Sequence, residues 1–283
     1  MTVLEAIRLT TEFFEKKGIE SPRINAELLL AHILKCKRLD LYLSFDKPLQ
    51  ENEILEYREY LKRRAQNEPL QYITGEVEFY GMPFKVNPSA LIPRPETEIL
   101  IEVVINSFDK QLVLSFLDIG TGTGNIPITL ARHFLNSEFL TVDINEGALL
   151  LAEENAILNK IEGRIRFVKG DILSDEFRLE HGFDVIVSNP PYVSLDEYKS
   201  LQPEITKFEP MEALTDNADG LTFYRTISRR SSEILKKGGR LFFEVGQGQS
   251  DAVAQVMKDC GLKNIGVKKD YLNIERVIFG EKD

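Results

Sequence analysis

Leu112-Val113-Leu114-Ser115-Phe116-Leu117-Asp118, followed closely by Gly120-Thr121-Gly122-Thr123-Gly124, is the stretch that decides the fold of this 283-residue chain. Its first part is mostly apolar without alternation, the pattern of a parallel strand buried on both faces. After the glycines, Ile126 to Phe134 repeats apolar residues at helical spacing. Strand, glycine turn and helix form the first half of a nucleotide-binding βαβ unit. The spacing is G-x-G-x-G; Asn125 breaks the G-x-G-x-x-G of dinucleotide sites, and the lack of a following Lys-Ser/Thr excludes a P-loop. Only glycine lets a ligand approach the backbone this closely.

Three further strand ends fall into line with this one. Phe139 to Val142 ends in Asp143, 19 positions after Gly124, where a carboxylate accepts from a ribose diol. Ile165 to Lys169 ends in Gly170-Asp171-Ile172; Asp171 suits an adenine amino group and Ile172 the face of its ring. Phe183 to Ser188 leads into Asn189-Pro190-Pro191-Tyr192. Two prolines fix φ and donate nothing, so that turn is stiff. It offers a rigid acceptor pair, the Asn189 side-chain oxygen and the Pro190 carbonyl, with a flat ring at Tyr192. Such a turn suits a planar group bearing NH2, either adenine or a carboxamide. Tyr192 can equally serve as a core aromatic that closes the wall. All four features sit at strand C-termini, where open α/β sheets bind ligands.

The set resembles the class I S-adenosylmethionine-dependent methyltransferases. That resemblance implies an α/β fold, a doubly wound, mostly parallel, seven-stranded Rossmann-like sheet. It also implies S-adenosylmethionine held by Gly120, Thr121, Gly122, Thr123, Gly124, Asp143, Asp171, Ile172 and Asn189. Catalysis falls to Asn189, Pro190 and Tyr192, and substrate binding to the whole turn Asn189, Pro190, Pro191 and Tyr192. Upstream, Pro69-Leu70-Gln71-Tyr72-Ile73-Thr74-Gly75, then Phe79-Tyr80-Gly81-Met82-Pro83-Phe84-Lys85-Val86, then Leu91-Ile92-Pro93-Arg94-Pro95-Glu96-Thr97-Glu98 resemble the release-factor glutamine methyltransferases, the PrmC/HemK family. The implied substrate is the glutamine of the Gly-Gly-Gln loop of class I peptide chain release factors. Three alternatives stay open: a sister group acting on a ribosomal protein glutamine, an adenine-N6 nucleic-acid methyltransferase, and a non-enzymatic S-adenosylmethionine-binding module. Arg94, Glu96 and Glu98 can also simply begin a helix.

Charge weighs against nucleic acid as partner. The net charge is -10, yet residues 1–90 carry 13 Lys/Arg against 14 Asp/Glu, so the excess lies in residues 91–283. A duplex would be repelled by such a surface. Arg229-Arg230 and Lys236-Lys237 are the candidates for a local basic patch. No apolar run approaches a membrane span, and the N-terminus has no signal core, so a cytoplasmic monomer without membrane partner is expected. Cys36 and Cys260 read as isolated buried fillers, and His32, His133 and His181 show no ligand spacing, so no metal is expected.

The expected organisation is a helical domain over 1–70 that docks substrate, a β-hairpin linker over 71–94, and a methyltransferase domain over 95–283. Thr2-x-x-Glu5 caps a first helix that stops near Gly18, Ser21-Pro22 starts a second, and a third runs from about Glu51 to Gln66. The hairpin turn is expected at Gly81-Met82-Pro83. Residues 194–218 have no clean period and read as a loop over the substrate. Helices are expected over Leu221–Lys236 and Ser250–Cys260. Strands over Gly239–Val245, Asn264–Lys269 and Glu275–Gly280 end the sheet antiparallel, with Gly246 and Gly248 in a strand-to-helix turn.

Overall fold

The computed structural model describes residues 1–179 and 182–283. They form two compact units, Met1–Glu76 with Gln202–Phe208, and Val77–Leu201 with Glu209–Asp283.

The first unit is helical. Helix Val3–Lys16 opens on a capping box in which Thr2 and Glu5 satisfy each other's backbone amides. Helices Pro22–Ile33 and Glu51–Arg64 follow, and Phe14, Leu29, Leu30 and Tyr57 interlock between them. Glu27 and Arg64 are charged side chains buried here with partners. The Glu27 carboxylate accepts from Arg23 and Tyr42, each at 2.8 Å. The Arg64 guanidinium reaches Asn25, the Glu68 carbonyl and Glu204. That last bond ties helix Pro203–Phe208 to this unit. Pro69 to Gly75, read from sequence only as a motif, holds a one-turn helix over Leu70–Thr74 that ends at Gly75 in the left-handed region. The expected featureless loop at 194–218 instead carries short helices Leu195–Tyr198 and Pro203–Phe208 and a 3-10 turn over Met211–Ala213. Elements this short have too few turns to show a period.

The second unit begins with a two-stranded ribbon, β1 (Glu76–Phe79) and β2 (Met82–Lys85). Its turn lies at Tyr80-Gly81, one residue earlier than expected. Both have positive φ, 50° and 69°, the two-residue geometry that matches strand twist. Seven strands follow: β3 (Ser115–Ile119), β4 (Glu138–Asp143), β5 (Ile165–Lys169), β6 (Phe183–Ser188), β7 (Leu235–Glu244), β8 (Leu262–Lys269) and β9 (Glu275–Lys282). Their order in the sheet is β5-β4-β3-β6-β7-β9-β8; β9 pairs antiparallel with β7 and β8, and the rest pair parallel. Strand β3 starts three residues later than the apolar run suggests, because Leu112 and Val113 are exposed.

Alternation along the strands supplies two cores. Phe116, Val185, Val187 and Phe242 face one side, where helices Glu96–Ser107 and Asn125–His133 pack. Leu117, Ile186, Leu241 and Phe243 face the other, under helices Thr222–Ile234 and Ser250–Asp259. Phe116 and Phe139 are register partners on β3 and β4 and stack at 4.5 Å. Helix Glu146–Leu158, unread in the sequence, starts at Asn145, whose side chain accepts from the amides of Gly147 and Ala148.

The order in which successive strands are added reverses at β3, with β4 to one side and β6 to the other. This is the switch point at which the crevice of a doubly wound sheet opens. Gly120, Gly122 and Gly124 leave β3 there with φ of 84°, 52° and 80°. A Cβ on Gly124 would lie 2.9 Å from Ile128 Cδ1 and 3.0 Å from Ala152 Cβ, whereas one on Gly122 meets nothing within 4 Å. Gly124→Ala should therefore lower unfolding stability by roughly 2–4 kcal/mol, from backbone strain plus overpacking. Gly122→Ala should cost about 1–2 kcal/mol from strain alone. Urea unfolding of the two variants checks this; equal losses would remove the packing role assigned to Gly124.

Candidate active site

A cavity of about 300 Å³ opens at the strand C-termini, lined by Gly120 to Thr123, Asp143, Asp171, Ile172 and Asn189 to Pro191, among others. Ten of the twelve sequence-derived positions thus meet at one place. Two named residues do not line it. Gly124 turns its face to Ile128 and Ala152, so helix packing explains that glycine. Tyr192 packs against the core under helix Thr222–Ile234, its ring beside Gly246 and its hydroxyl 3.5 Å from Glu244. The ring therefore takes the wall position rather than facing the cavity.

The acid on β4 is oriented by backbone. Asp143 Oδ2 accepts from Gly122 N at 2.9 Å and Oδ1 from Asn145 N at 2.8 Å. Burial raises its pKa, and these bonds pull it back. A carboxylate has about four acceptor sites, so roughly two remain for a pair of hydroxyls. On β5, Asp171 Oδ1 accepts from Leu173 N, which sets the rim, and Ile172 is buried with an apolar face to the cavity. Open backbone at Gly122, a diol-ready carboxylate and an apolar slot beside a second acid fit an adenosine group.

Asp118 lies one step deeper. It sits opposite Thr141 in the β3–β4 register, and Thr141 Oγ1 donates to its Oδ2 at 2.6 Å. Thr121 bonds in turn to Thr141, which links the glycine loop to this acid. Oδ1 has no partner among the described residues. Burial, with the nearby Asp143 charge, raises the Asp118 carboxyl to about 7.

The turn after β6 is held at three points. Ser188 donates to Ile119 O at 2.7 Å, which places Asn189 beside the glycine loop. Gln249 Nε2 donates to Tyr192 O at 2.8 Å, and its Oε1 accepts from Gly246 N. Asn189 Nδ2 donates to Thr97 Oγ1 at 3.2 Å, and Thr97 donates to Glu244 Oε2 at 2.6 Å. With its NH2 so engaged, Asn189 offers Oδ1 as the free acceptor. Glu244 and Thr97 are buried, and burial pushes the Glu244 carboxyl up to about 7.

Sequence reading missed Thr97 and Glu244. The signal for Glu244 was present, an acid at the end of a buried strand as at Asp118 and Asp143. Thr97 sits inside the quoted Leu91 to Glu98 run. Glu96 opens helix Glu96–Ser107, and Glu98 accepts from Tyr80 N at 2.8 Å, as helix-start acids can. Arg94 instead pairs with the buried Glu209, which also accepts from Ile92 N. Pro210, Glu212 and Asp216 beyond it complete the cavity wall. Cys36 and Cys260 are half-buried rather than buried. His32 meets Glu76 and His133 packs edge-on to Tyr80, while His181 lies outside the described residues. No described helix is long and apolar enough to cross a membrane.

Known proteins resemble this chain. Residues 5–75 match the PrmC N-terminal domain and residues 95–207 the methyltransferase small domain. The release factor glutamine methyltransferase of Fusobacterium nucleatum subsp. nucleatum is 40% identical over 99% of this chain and 78% of its own. The protein of that description from Chlorobaculum tepidum is 39% identical over 97% of this chain and 95% of its own. A methyltransferase structure from Pyrococcus furiosus, 18% identical, covers 82% of this chain and 99% of its own with TM-score 0.53, a likeness of fold.

An Asp118 carboxyl raised from 3.8 to about 7 stabilises the fold at low pH and loses that contribution as pH rises over the same range. Asp118→Asn carries no such loss. In melts at several pH values, the variant's stability relative to the parent should grow between about pH 4 and pH 7, by up to about 1.4 kcal/mol per pH unit, and level off above that. A constant difference would show that Asp118 is not desolvated.

Proposed function

The chain belongs to the release factor glutamine methyltransferase family, and from that premise we infer that its cavity binds S-adenosylmethionine and directs a methyl group to N5 of the glutamine in the Gly-Gly-Gln loop of class I release factors. It is a methyltransferase enzyme. The observation that carries the specific reading is the Asn189 amide. Its NH2 is committed to Thr97, so its oxygen is left to receive an N–H from a planar substrate.

The residues around the cavity fit the cofactor. Asp143 would hold the ribose, Asp171 and Ile172 the adenine edge and face, and Gly120 to Thr123 the backbone cradle. When bound, S-adenosylmethionine supplies a sulfonium-activated methyl group. The chain's own work is positioning. An amide nitrogen is a poor nucleophile because its lone pair is delocalised into the carbonyl. Asn189 Oδ1 and the Pro190 carbonyl would accept both N–H bonds and leave the nitrogen lone pair aimed into the cavity. Those acceptors gain strength as the nitrogen becomes positive, so they favour the transition state over the ground state. Alignment supplies much of the remaining rate. Tyr192 supports the turn from behind.

The helical unit would grip the release factor. Its net charge is near zero, and Leu39 and Leu43 on the 3-10 turn Arg38–Leu43 are 70% and 89% exposed. The enzyme would act as a cytoplasmic monomer.

Asn189→Ala should lower single-turnover methylation of release factor by roughly a hundredfold or more while S-adenosylmethionine affinity weakens less than catalysis does. Asp143→Ala should do the reverse, weakening the cofactor roughly tenfold or more. Activity of Asn189→Ala within a few-fold of the parent would remove its assigned role.

For docking, Leu39→Glu with Leu43→Glu should raise KM for intact release factor and leave a short Gly-Gly-Gln peptide unaffected. Deleting residues 1–70 is the poorer experiment, since it also strips the partners of Glu204. Equal KM values on intact release factor would show that it docks elsewhere.

A further inference from the structure

We propose that Glu244, acting through Thr97, is a positioning residue for methyl transfer, whose ionised carboxylate fixes the Asn189 amide with Oδ1 toward the cavity. The inference deepens the reading above and rests on Asn189 as the acceptor for the substrate N–H.

Counting protons carries it. Thr97 has one hydroxyl hydrogen, and it goes to Glu244 Oε2 at 2.6 Å. Its oxygen is then available only as an acceptor toward Asn189, and it takes a hydrogen from Nδ2 at 3.2 Å. A side-chain amide locked by its NH2 must present its oxygen on the other side. Protonated Glu244 breaks this order. A carboxylic acid can donate to Thr97, which frees the Thr97 hydrogen to point at Asn189 and favours the flipped amide. A flipped Asn189 would present NH2 to the substrate NH2, donor against donor. Thr97 and Glu244 are 2% exposed, so water does not compete for either bond.

The groups that face this carboxylate come from four elements. Glu96 and Thr97 lie on helix Glu96–Ser107, and Asn189 and Tyr192 on the turn after β6. Tyr224 donates to the Glu244 carbonyl, and Arg276 on β9 adds a positive charge while bonded to Asp270 at 3.0 Å. Burial, with Glu96 opposing and the Thr97 bond, the Arg276 charge and a direct bond from the Asn189 side chain favouring ionisation, holds the carboxyl at about 7, so the Asn189 NH2 answers to the carboxylate directly as well as through Thr97. The ordered acceptor is therefore present above that pH and lost below it.

The test uses the full-length enzyme, its Glu244→Gln, Thr97→Val and Thr97→Ser variants, and intact release factor. In the parent, kcat should rise with pH through about 7 and level off above it. Glu244→Gln and Thr97→Val should lower kcat at high pH by roughly tenfold or more, without that rise. Thr97→Ser, which keeps the hydroxyl, should restore most of it. S-adenosylmethionine affinity should stay the same in all four, which separates orientation from general damage. A readout without turnover is the Asn189 side-chain NH2 resonance in isotope-labelled protein. It should titrate with the midpoint of the kcat profile in the parent and stand still in Glu244→Gln. An Asn189 resonance indifferent to pH and to Glu244→Gln would overturn the proposal. Failure of the parent to methylate release factor would instead overturn the assigned function, and the resonance would still decide the positioning claim.

Discussion

Parallel pairing of β3 with β4 on one side and β6 on the other is the constraint on which the rest of the catalytic unit depends. Because these strands run the same way, their C-terminal ends share one edge of the sheet. Gly120 to Gly124, Asp143 and Asn189 to Pro191 then emerge together although about 70 residues of chain separate the first from the last. The register is set by buried side chains: Phe116 stacks on Phe139, and Leu117 pairs with Ile186 on the opposite face. A slip by one residue would exchange the two faces and expose both cores. Ser188, bonded to Ile119 O, adds a polar lock at the point where the turn leaves the sheet.

That shared edge also gathers carboxylates in a dry place. Asp118, Asp143 and Glu244 all have raised pKa values, with burial as the first cause. Buried acids destabilise a fold unless hydrogen bonds offset the lost hydration. Here each is bonded to a backbone amide or a threonine hydroxyl, and each points toward the glycine loop or the Asn189 turn. A cationic ligand gains from such a field more than a neutral one does. Of the three, Asp143 lines the cavity, where its charge suits that of the proposed methyl donor.

Local chemistry was legible in the sequence, and long-range chemistry was not. Strands ending at Asp143, Asp171 and Asn189 announced themselves because each combines a buried apolar run with a polar residue at its end. The sheet's antiparallel finish was readable from two short runs after Gly261. Glycines alone did not reveal which of them opens the cavity: Gly122 does and Gly124 does not, because Ala152 from a helix 28 residues downstream fills the space. Thr97 and Glu244 lie 147 residues apart, and no period or spacing links them. The segment 194–218 looked featureless because its helices are one or two turns long and one of them, Pro203–Phe208, is held by Arg64 from far upstream.

Position of the transferred methyl group tests the central claim most directly. The full-length enzyme is incubated with labelled S-adenosylmethionine and, separately, with intact release factor, ribosomal proteins and nucleic acid, and the product is mapped by peptide mass spectrometry. The account predicts one methyl group on the glutamine of the Gly-Gly-Gln loop, lost when that glutamine is replaced. Label on adenine in DNA or RNA, or on a ribosomal protein with the release factor left unmodified, would contradict it.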